Sequence, residues 1–410
     1  MAPALRFSGY RVLANREYRI FWLGQWVSLV GTWMQQVTQA WLLARLTRSP
    51  LALGLLGMAS AAPLLLFVLP GGFVSDRFDR YRIVVVTQAL SLAQAAILAV
   101  LTLSARIEPW HVIALAAALG TINAFDVPAR QAFVVELVGP EELPNAIALN
   151  STGFNFARVL GPAIGGLLVA AAGEGTCFAL NAASYGAVLF GLWKIRCRRS
   201  GRDRENTGRA AGRWWDGVAY SWRHADLRRI LVFVGVVSGL SVPYRHFLPS
   251  FAQEVLGVGA WRYGLLLSGA GIGAGLGALF LAGIRLSPAV YHRLLPAGLL
   301  LLGSGLLGLA WAGRFGAAFV LLVLAGLGGI AYFNASHTLV QLGASDEFRG
   351  RVVSVYALMH QGTATFGSLA LGLLAEGVGV RSVFYAGAFA ALGCGLALLG
   401  WRPVSPASSS

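Results

Sequence analysis

The sequence contains little charge for its length. Only 12% of its 410 residues are Asp, Glu, Lys or Arg, whereas about a quarter of the residues in soluble domains are charged. Apolar runs of about 20 residues recur along the whole chain, and each is long enough to cross a hydrocarbon core of roughly 30 Å. This pattern leaves little room for a large soluble core and predicts a polytopic membrane protein.

Cysteine is also scarce. The three cysteines, Cys177, Cys197 and Cys394, have no metal-binding or disulfide spacing. We therefore expect them to be packing residues, and we expect no metal site.

Signatures of enzymes and of ATP-driven pumps are missing. No loop has the form G-x-x-x-x-G-K-[ST] that cradles nucleotide phosphates. Carboxylates, histidines and cysteines do not cluster as they would in a membrane enzyme, and the short termini leave no room for the soluble domain of a sensor. We expect no enzymatic activity, no cofactor and no use of ATP.

Lysine is almost absent, since Lys194 is the one lysine among 32 basic residues, and the net charge is +15. No basic stretch carries the interleaved aromatic residues of a nucleic-acid-binding platform. The arginines lie mainly in short loops between apolar runs, so we interpret them as determinants of membrane topology and expect no nucleic-acid partner.

The apolar runs predict an all-α protein with twelve transmembrane helices in two six-helix halves. Helices are expected because lipid cannot satisfy free backbone groups, and the runs are too long and too uniformly apolar for barrel strands. The predicted spans are 20–44, 51–74, 83–105, 110–135, 145–172, 176–195, 230–256, 262–286, 290–312, 315–342, 351–375 and 380–401.

The distribution of basic residues predicts that both termini are cytoplasmic. With the N-terminus inside, 23 of the 32 basic residues lie on the cytoplasmic side and six on the outside. The first apolar run is too long for a signal peptide, so we expect no cleaved leader. We predict an N-terminal bundle (1–195), a cytoplasmic basic linker (196–229) and a C-terminal bundle (230–410). The linker contains an aromatic-apolar face that suits either an interfacial helix or an ordinary connector.

The two halves resemble each other weakly. The segments "GPEELPNAIALNS" (139–151) and "ASDEFRGRVVSVY" (344–356) each join an acidic cluster to the start of a helix rich in small residues. Duplicated bundles of this kind form transporters whose substrate site lies near the bilayer midplane.

The loop after the second span carries a recognisable motif. "GGFVSDRFDRYR" contains Gly72, Asp76, Arg77 and Arg80 in the form G-x-x-x-D-R-x-x-R-x-R, which resembles the loop 2–3 signature of the major facilitator superfamily. The glycine would allow close helix approach, Asp76 would accept hydrogen bonds from a helix N-terminus, and the arginines would reach carboxylates such as Glu136. A short positive-inside loop is the simpler interpretation. Asp79 stands where the signature usually has glycine.

The fifth predicted span contains a second motif, "GPAIGG". Its residues Gly161, Pro162, Gly165 and Gly166 resemble the core of a motif found in the antiporters of this superfamily. Small residues also form ordinary packing faces in membrane helices. The resemblance implies a close contact between this helix and a partner helix from the other half, which would bias the transporter towards export.

Longer stretches are similar to one branch of that superfamily. "FWLGQWVSLVGTWMQQVTQAWLLARLTRSP" and "NAFDVPARQAFVVELVGPEELPNAIALNS" resemble the drug:proton antiporter branch that contains macrolide efflux proteins and the enterobactin exporter. The resemblance extends over nearly the whole chain.

Asp126 is the one acidic residue well inside a predicted span. Arg130 follows at i+4 on the same helical face, and Arg158 would lie about one helical turn away in depth on the next span. We predict an ionic cluster of Asp126, Arg130 and Arg158. It either exchanges a proton or binds a cationic substrate, or it is a structural ion pair that joins the two spans.

Other polar residues in the spans are further candidates for a substrate or proton pathway. Gln25, Gln35 and Gln39 lie in the first span, where they would line a cavity or hydrogen-bond to a neighbouring helix. His337 and His360 lie in the inner half of the membrane and are secondary candidates for a proton site, although a membrane histidine more often donates between helices.

Together these features predict a secondary active efflux transporter of the plasma (inner) membrane. It would act as a monomer, use the proton gradient, export a hydrophobic or amphipathic small molecule such as an antibiotic, and contact the lipid bilayer. A symporter, or an exporter of lipids or siderophores on the same fold, is the main alternative, and a non-transporting sensor is the alternative from another class.

Overall fold

The protein is helical throughout the part of the chain that the computed structural model describes, which comprises residues 8–196, 214–284 and 286–401. A short 3₁₀ helix, Ser8–Ala14, precedes the first long helix. The α-helices are α1 (Arg16–Thr47), α2 (Pro50–Arg77), α3 (Arg80–Leu103), α4 (Pro109–Arg196), α5 (Trp214–Arg223), α6 (Ala225–Leu240), α7 (Tyr244–Ser250), α8 (Ala260–Ala282), α9 (Pro288–Trp311), α10 (Phe315–Gly343), α11 (Arg349–Val378) and α12 (Arg381–Leu399).

Helix α4 is interrupted twice. Gly139 (φ 77°) and Gly173 (φ 81°) leave the helical conformation for the left-handed side of backbone space, where glycine has no steric cost. We name the three resulting segments α4a (109–138), α4b (140–172) and α4c (174–196). Both interruptions fall between predicted spans, so glycine marks the two turns that the hydrophobic pattern placed here.

Seven helices of the described chain are long and apolar enough to cross a membrane, with α4 counted once: α2, α3, α4, α8, α9, α10 and α12. Helices α1 and α11 have 32 and 30 residues but are less apolar. The prediction of twelve spans is therefore not confirmed by this count and stays a prediction.

One predicted span is not a single continuous helix. The segment 230–256 is divided into α6, α7 and a short π-helix, Phe251–Val255. Pro243 lies at the break before α7, where a residue without a backbone N–H is tolerated. The Ser241 hydroxyl donates to the Gly387 carbonyl at 2.7 Å, which satisfies a polar group at the break.

The chain divides into two compact units. The first contains Met1–Leu46 and Ala59–Glu205, and the second contains Thr47–Met58 and Asn206–Ser410. The first part of α2 (50–58) thus groups with the second unit and the rest of α2 with the first. The predicted three-part division stays a prediction, and part of its linker, including Cys197, lies outside the described residues.

The first unit is built around a core where α1, α3 and α4 meet. Tyr18, Phe21 and Phe133 are at most 3% exposed, and the Phe21 and Phe133 rings meet edge to face with centroids 5.2 Å apart. The Asn15 side-chain amide donates to the Leu137 carbonyl at 2.8 Å, near the end of α4a. These contacts fix the N-terminal end of α1 next to the C-terminal end of α4a.

In the second unit, α10 packs on α8 and α9, α12 on α9, and α11 on α6. Small residues allow these close approaches; Gly326, for example, lies against the backbone of Ala270. Helix α5 packs beside the start of α11, where the Tyr220 ring stacks on Phe348 at 4.5 Å. Cys394 in this unit and Cys177 in the first are both buried.

Candidate substrate cavity and buried ion pair

The first unit contains a cavity of about 760 Å³, within the range of small-molecule sites. Helix α1 forms one wall, the end of α4a a second, and the start of α4b a third. Its lining residues are Phe21, Trp22, Gln25, Trp26, Leu29, Arg130, Gln131, Val134, Val135, Leu143, Ile147, Asn150, Ser151, Gly153, Phe154 and Asn155.

Aromatic side chains dominate the α1 wall. The Trp22 and Trp26 rings, one helical turn apart, are stacked with centroids 6.4 Å apart and an interplanar angle of 13°. A Cβ added to Gly153 would lie 3.0 Å from Trp26 Cδ1, so this glycine lets α4b approach the indole closely. The wall offers a flat, apolar surface for a ring-bearing molecule.

Arg130 is the charged residue among the described residues of the lining. Its Nη1 donates to Gln25 Oε1 at 3.2 Å, and its Nε lies 3.0 Å from Asp126 Oδ2. The Arg130 side chain is 30% exposed, whereas that of Asp126 is 4% exposed. The guanidinium is therefore accessible from the cavity, whereas the carboxylate is buried.

Asp126 is held by three residues. Its Oδ1 accepts from Thr87 Oγ1 at 2.7 Å and from Gln88 Nε2 at 3.0 Å, both on α3, and its Oδ2 pairs with Arg130. The arrangement links α3 to α4a and orients Arg130 towards the cavity.

The predicted pairing of Asp126 with Arg130 is thus present. Arg158 is half-buried on α4b, and its membership of the same cluster stays a prediction. The sequence pattern did not identify Thr87 and Gln88 as partners, although both are polar residues in an apolar helix.

The glutamines of α1 have different environments. Gln25 lines the cavity, and its Nε2 has no hydrogen-bond acceptor among the described residues. Gln35 is fully buried; it donates to Gln94 Oε1 at 3.0 Å and accepts from Asn181 Nδ2 at 2.8 Å. Gln39 is also buried. The two predicted roles are therefore divided: Gln25 lines the cavity, and Gln35 forms hydrogen bonds to neighbouring helices.

The sequence of residues 7–407 matches the family described as transmembrane secretion effector. The chain belongs to that family of the major facilitator superfamily. It is a membrane transporter and not an enzyme.

Relatives of this transporter are similar over most of their length. It is 25% identical to the staphyloferrin A transporter of Staphylococcus aureus, over 89% of this chain and 91% of the relative. It is also 25% identical to the multidrug efflux pump Tap of Mycolicibacterium fortuitum, over 87% and 88% of the two chains. Its fold is similar to that of a bacterial homologue of the iron transporter ferroportin, with a TM-score of 0.70 and 16% identity over 95% and 98% of the chains.

The loop motif of the transporter has one predicted contact in place. Arg80 Nη1 lies 2.9 Å from Glu136 Oε1, so the loop is tied to the C-terminal end of α4a. Arg77 is exposed and lies over the Phe73 ring at 5.9 Å.

The predicted role of Gly72 in helix packing is wrong. A Cβ at Gly72 would meet no described atom within 4 Å, whereas a Cβ at Gly71 would collide with the backbone of Ala124. Gly71 therefore provides the close approach between α2 and α4a, because its side of the helix faces α4a.

Asp76 is exposed, and no hydrogen bond joins it to another described residue, so the capping role predicted for it is not seen. Asp79 has that role: its Oδ1 accepts from the Arg82 backbone N–H at 3.0 Å and caps the N-terminus of α3. The departure from the usual glycine thus supplies a helix cap.

The glycines of "GPAIGG" pack on α1 of the same unit. A Cβ at Gly161 would collide with Trp33, and a Cβ at Gly165 would lie 3.1 Å from Met34 Cγ. The faces of these two glycines that would carry a Cβ point towards α1, and the predicted contact with a helix of the other half stays a prediction. Pro162 and Gly166 are buried in the same segment.

His337 and His360 in the second unit both lie near Tyr356. The Tyr356 ring is 5.2 Å from His337 and 6.4 Å from His360. His360 Nδ1 lies 2.7 Å from the Ser238 hydroxyl, which joins α11 to α6. This contact matches the helix-to-helix role, and a proton site here stays a prediction.

Proposed function

We propose that this transporter exports a hydrophobic or amphipathic organic compound in exchange for protons, by alternating access. The observation that carries the proposal is the cavity of the first unit, which is lined mainly by apolar and aromatic residues and contains a guanidinium paired with a buried carboxylate. Intramembrane charges are costly and are typical of transport pathways.

The proposal includes the setting of the protein. It functions as a monomer in the plasma (inner) membrane, with twelve spans in two six-helix halves and both termini in the cytoplasm. The proton gradient supplies the energy, with Asp126 as the principal proton site and His337 and His360 as secondary candidates.

Export of a siderophore is a second candidate, favoured by the similarity to the staphyloferrin A transporter. A secretion assay distinguishes this function from drug export. Cells of the source organism, with and without the gene, are grown in iron-limited medium, and a siderophore exporter should raise the amount of siderophore secreted.

Accumulation of drugs in a bacterial host that lacks its main efflux pumps tests the proposal. Cells that express the protein should accumulate at least one of a panel of hydrophobic antibiotics and dyes less than cells with an empty vector. A protonophore should abolish the difference. Asp126→Asn should lose it, whereas Asp216→Asn, a change at an exposed residue of α5, should keep it. Unchanged accumulation of the whole panel, with the protein present in the membrane by immunoblot, would count against export.

A further inference from the structure

We infer that the cavity binds an organic anion: a ring-bearing amphiphile whose carboxylate pairs with Arg130. The inference specifies the substrate class of the proposed function and rests on that function for its biological role. The binding chemistry itself depends only on the contacts of the first unit.

The charges at the cavity surface point to an anion. Its described lining contains one cation, Arg130, and no carboxylate. Asp126 is 3% exposed and is already engaged by Thr87, Gln88 and Arg130. A cationic ligand would have to displace these partners and approach a guanidinium of the same charge at the same time.

Arg130 has hydrogen-bond donors left for a ligand. A guanidinium carries five N–H donors in a planar fork, and the two contacts of Arg130 use Nε and Nη1. The fork can therefore keep Asp126 and Gln25 while it binds a carboxylate through its remaining donors. Asp126 holds the guanidinium in place through the 3.0 Å contact with Nε.

Gln25 supplies a second donor. Its Oε1 is occupied by Arg130, which directs the amide nitrogen away from that arginine. The Nε2 atom is buried and has no acceptor among the described residues. Buried polar groups are rarely left without a partner, because each costs free energy. An acceptor on a bound molecule would satisfy it.

The rest of the cavity surface is apolar and indicates what the uncharged part of the ligand is like. Trp22 and Trp26 present stacked rings, Phe154 lies on the opposite wall, and Val134 and Ile147 add aliphatic surface. A cavity of about 760 Å³ suits a ligand of drug size. The combination favours a flat apolar body with an anionic end.

Three fluorescent probes that share one body test the inference. The full chain, purified into nanodiscs of zwitterionic lipid, is titrated with pyrene-butyl compounds that end in a carboxylate, a hydroxyl or an ammonium group. Energy transfer from tryptophan reports binding, after subtraction of the signal from empty nanodiscs. The carboxylate probe should bind about tenfold more tightly than the hydroxyl probe, as expected for one charge-assisted hydrogen-bonded contact, and the ammonium probe should bind most weakly.

Two variants locate the preference. Arg130→Gln should remove the roughly tenfold advantage of the carboxylate probe and leave the hydroxyl probe unchanged, whereas Arg106→Gln, at an exposed loop residue, should change neither. Arg130→Gln leaves the buried Asp126 without its paired cation. The double variant Asp126→Asn/Arg130→Gln is neutral at both positions and repeats the test without a buried unpaired charge.

Equal or tighter binding of the ammonium probe would overturn the inference, as would an anion preference that survives in the double variant. Neither result bears on export itself, which the accumulation assay tests separately. Conversely, anion-selective binding without drug export would support the inference and count against the proposed function.

Discussion

At the scale of single residues, the ion pair of the first unit is the feature that the sequence predicted best. Asp126 and Arg130 are i,i+4 neighbours on one helix, so their contact needs no knowledge of the fold. The hydrogen bonds from Thr87 and Gln88 to Asp126, by contrast, depend on the packing of α3 against α4a. A local pattern cannot supply that packing.

The two halves of the ion pair differ in burial, which predicts unequal effects on stability. Arg130→Gln leaves the 4%-exposed Asp126 without its cation and should lower the free energy of unfolding by about 3–5 kcal/mol. Asp126→Asn leaves a partly exposed arginine and keeps an oxygen for Thr87 and Gln88, so it should cost about 1 kcal/mol.

Apparent melting temperatures of the purified variants in one detergent measure this difference. The double variant Asp126→Asn/Arg130→Gln should recover much of the loss caused by Arg130→Gln, since no buried charge remains unpaired. An Asp126→Asn protein that is as unstable as Arg130→Gln would contradict the account.

At the scale of helices, the sequence predicted turns better than it predicted breaks within a span. The turns at Gly139 and Gly173 fall in polar or small-residue stretches between apolar runs, and both lie between the predicted spans 110–135, 145–172 and 176–195. The break before α7 lies inside a run predicted to be one span, although Pro243 and the polar residues Arg245 and His246 were available signals.

The cavity was beyond prediction from sequence for a related reason. Trp22, Asn150 and Phe154 come from helices whose neighbours are set by tertiary packing. The i,i+4 spacing of Trp22 and Trp26 indicates a shared face of α1, but it does not say what that face meets. Gln25 was identified as a candidate, whereas its role beside Arg130 required the structure.

Two adjacent glycines of α2 give a sharp test of helix packing. Gly71→Ala should lower the free energy of unfolding by about 1–3 kcal/mol, because the new Cβ would overlap the Ala124 backbone. Gly72→Ala should be neutral or stabilising by up to about 1 kcal/mol, because it meets open space and alanine favours the helix.

Thermal melting and transport of both glycine variants distinguish packing from gating. A Gly72→Ala protein that melts normally but transports poorly would assign Gly72 to the loop motif's function. A Gly72→Ala protein that melts as early as Gly71→Ala would show that the helix contacts are described wrongly.

At the scale of the whole molecule, the low charge and the recurring apolar runs identified a polytopic membrane protein, and the family match identified a transporter. Fold similarity does not determine the direction of transport, its energy source or its substrate, because these depend on side-chain chemistry. In this account that chemistry is concentrated at Arg130 and Asp126.

Coupled flux in proteoliposomes tests the central claim most directly. Vesicles are loaded with the compound that shows the largest difference in cellular accumulation and with a pH-sensitive dye, and the membrane potential is clamped. An acidic exterior should accelerate release of the compound through the wild-type protein, and the interior should acidify in step with that release. Asp126→Asn should release the compound without acidification. Wild-type release that is independent of the pH gradient and moves no protons would contradict proton-coupled export.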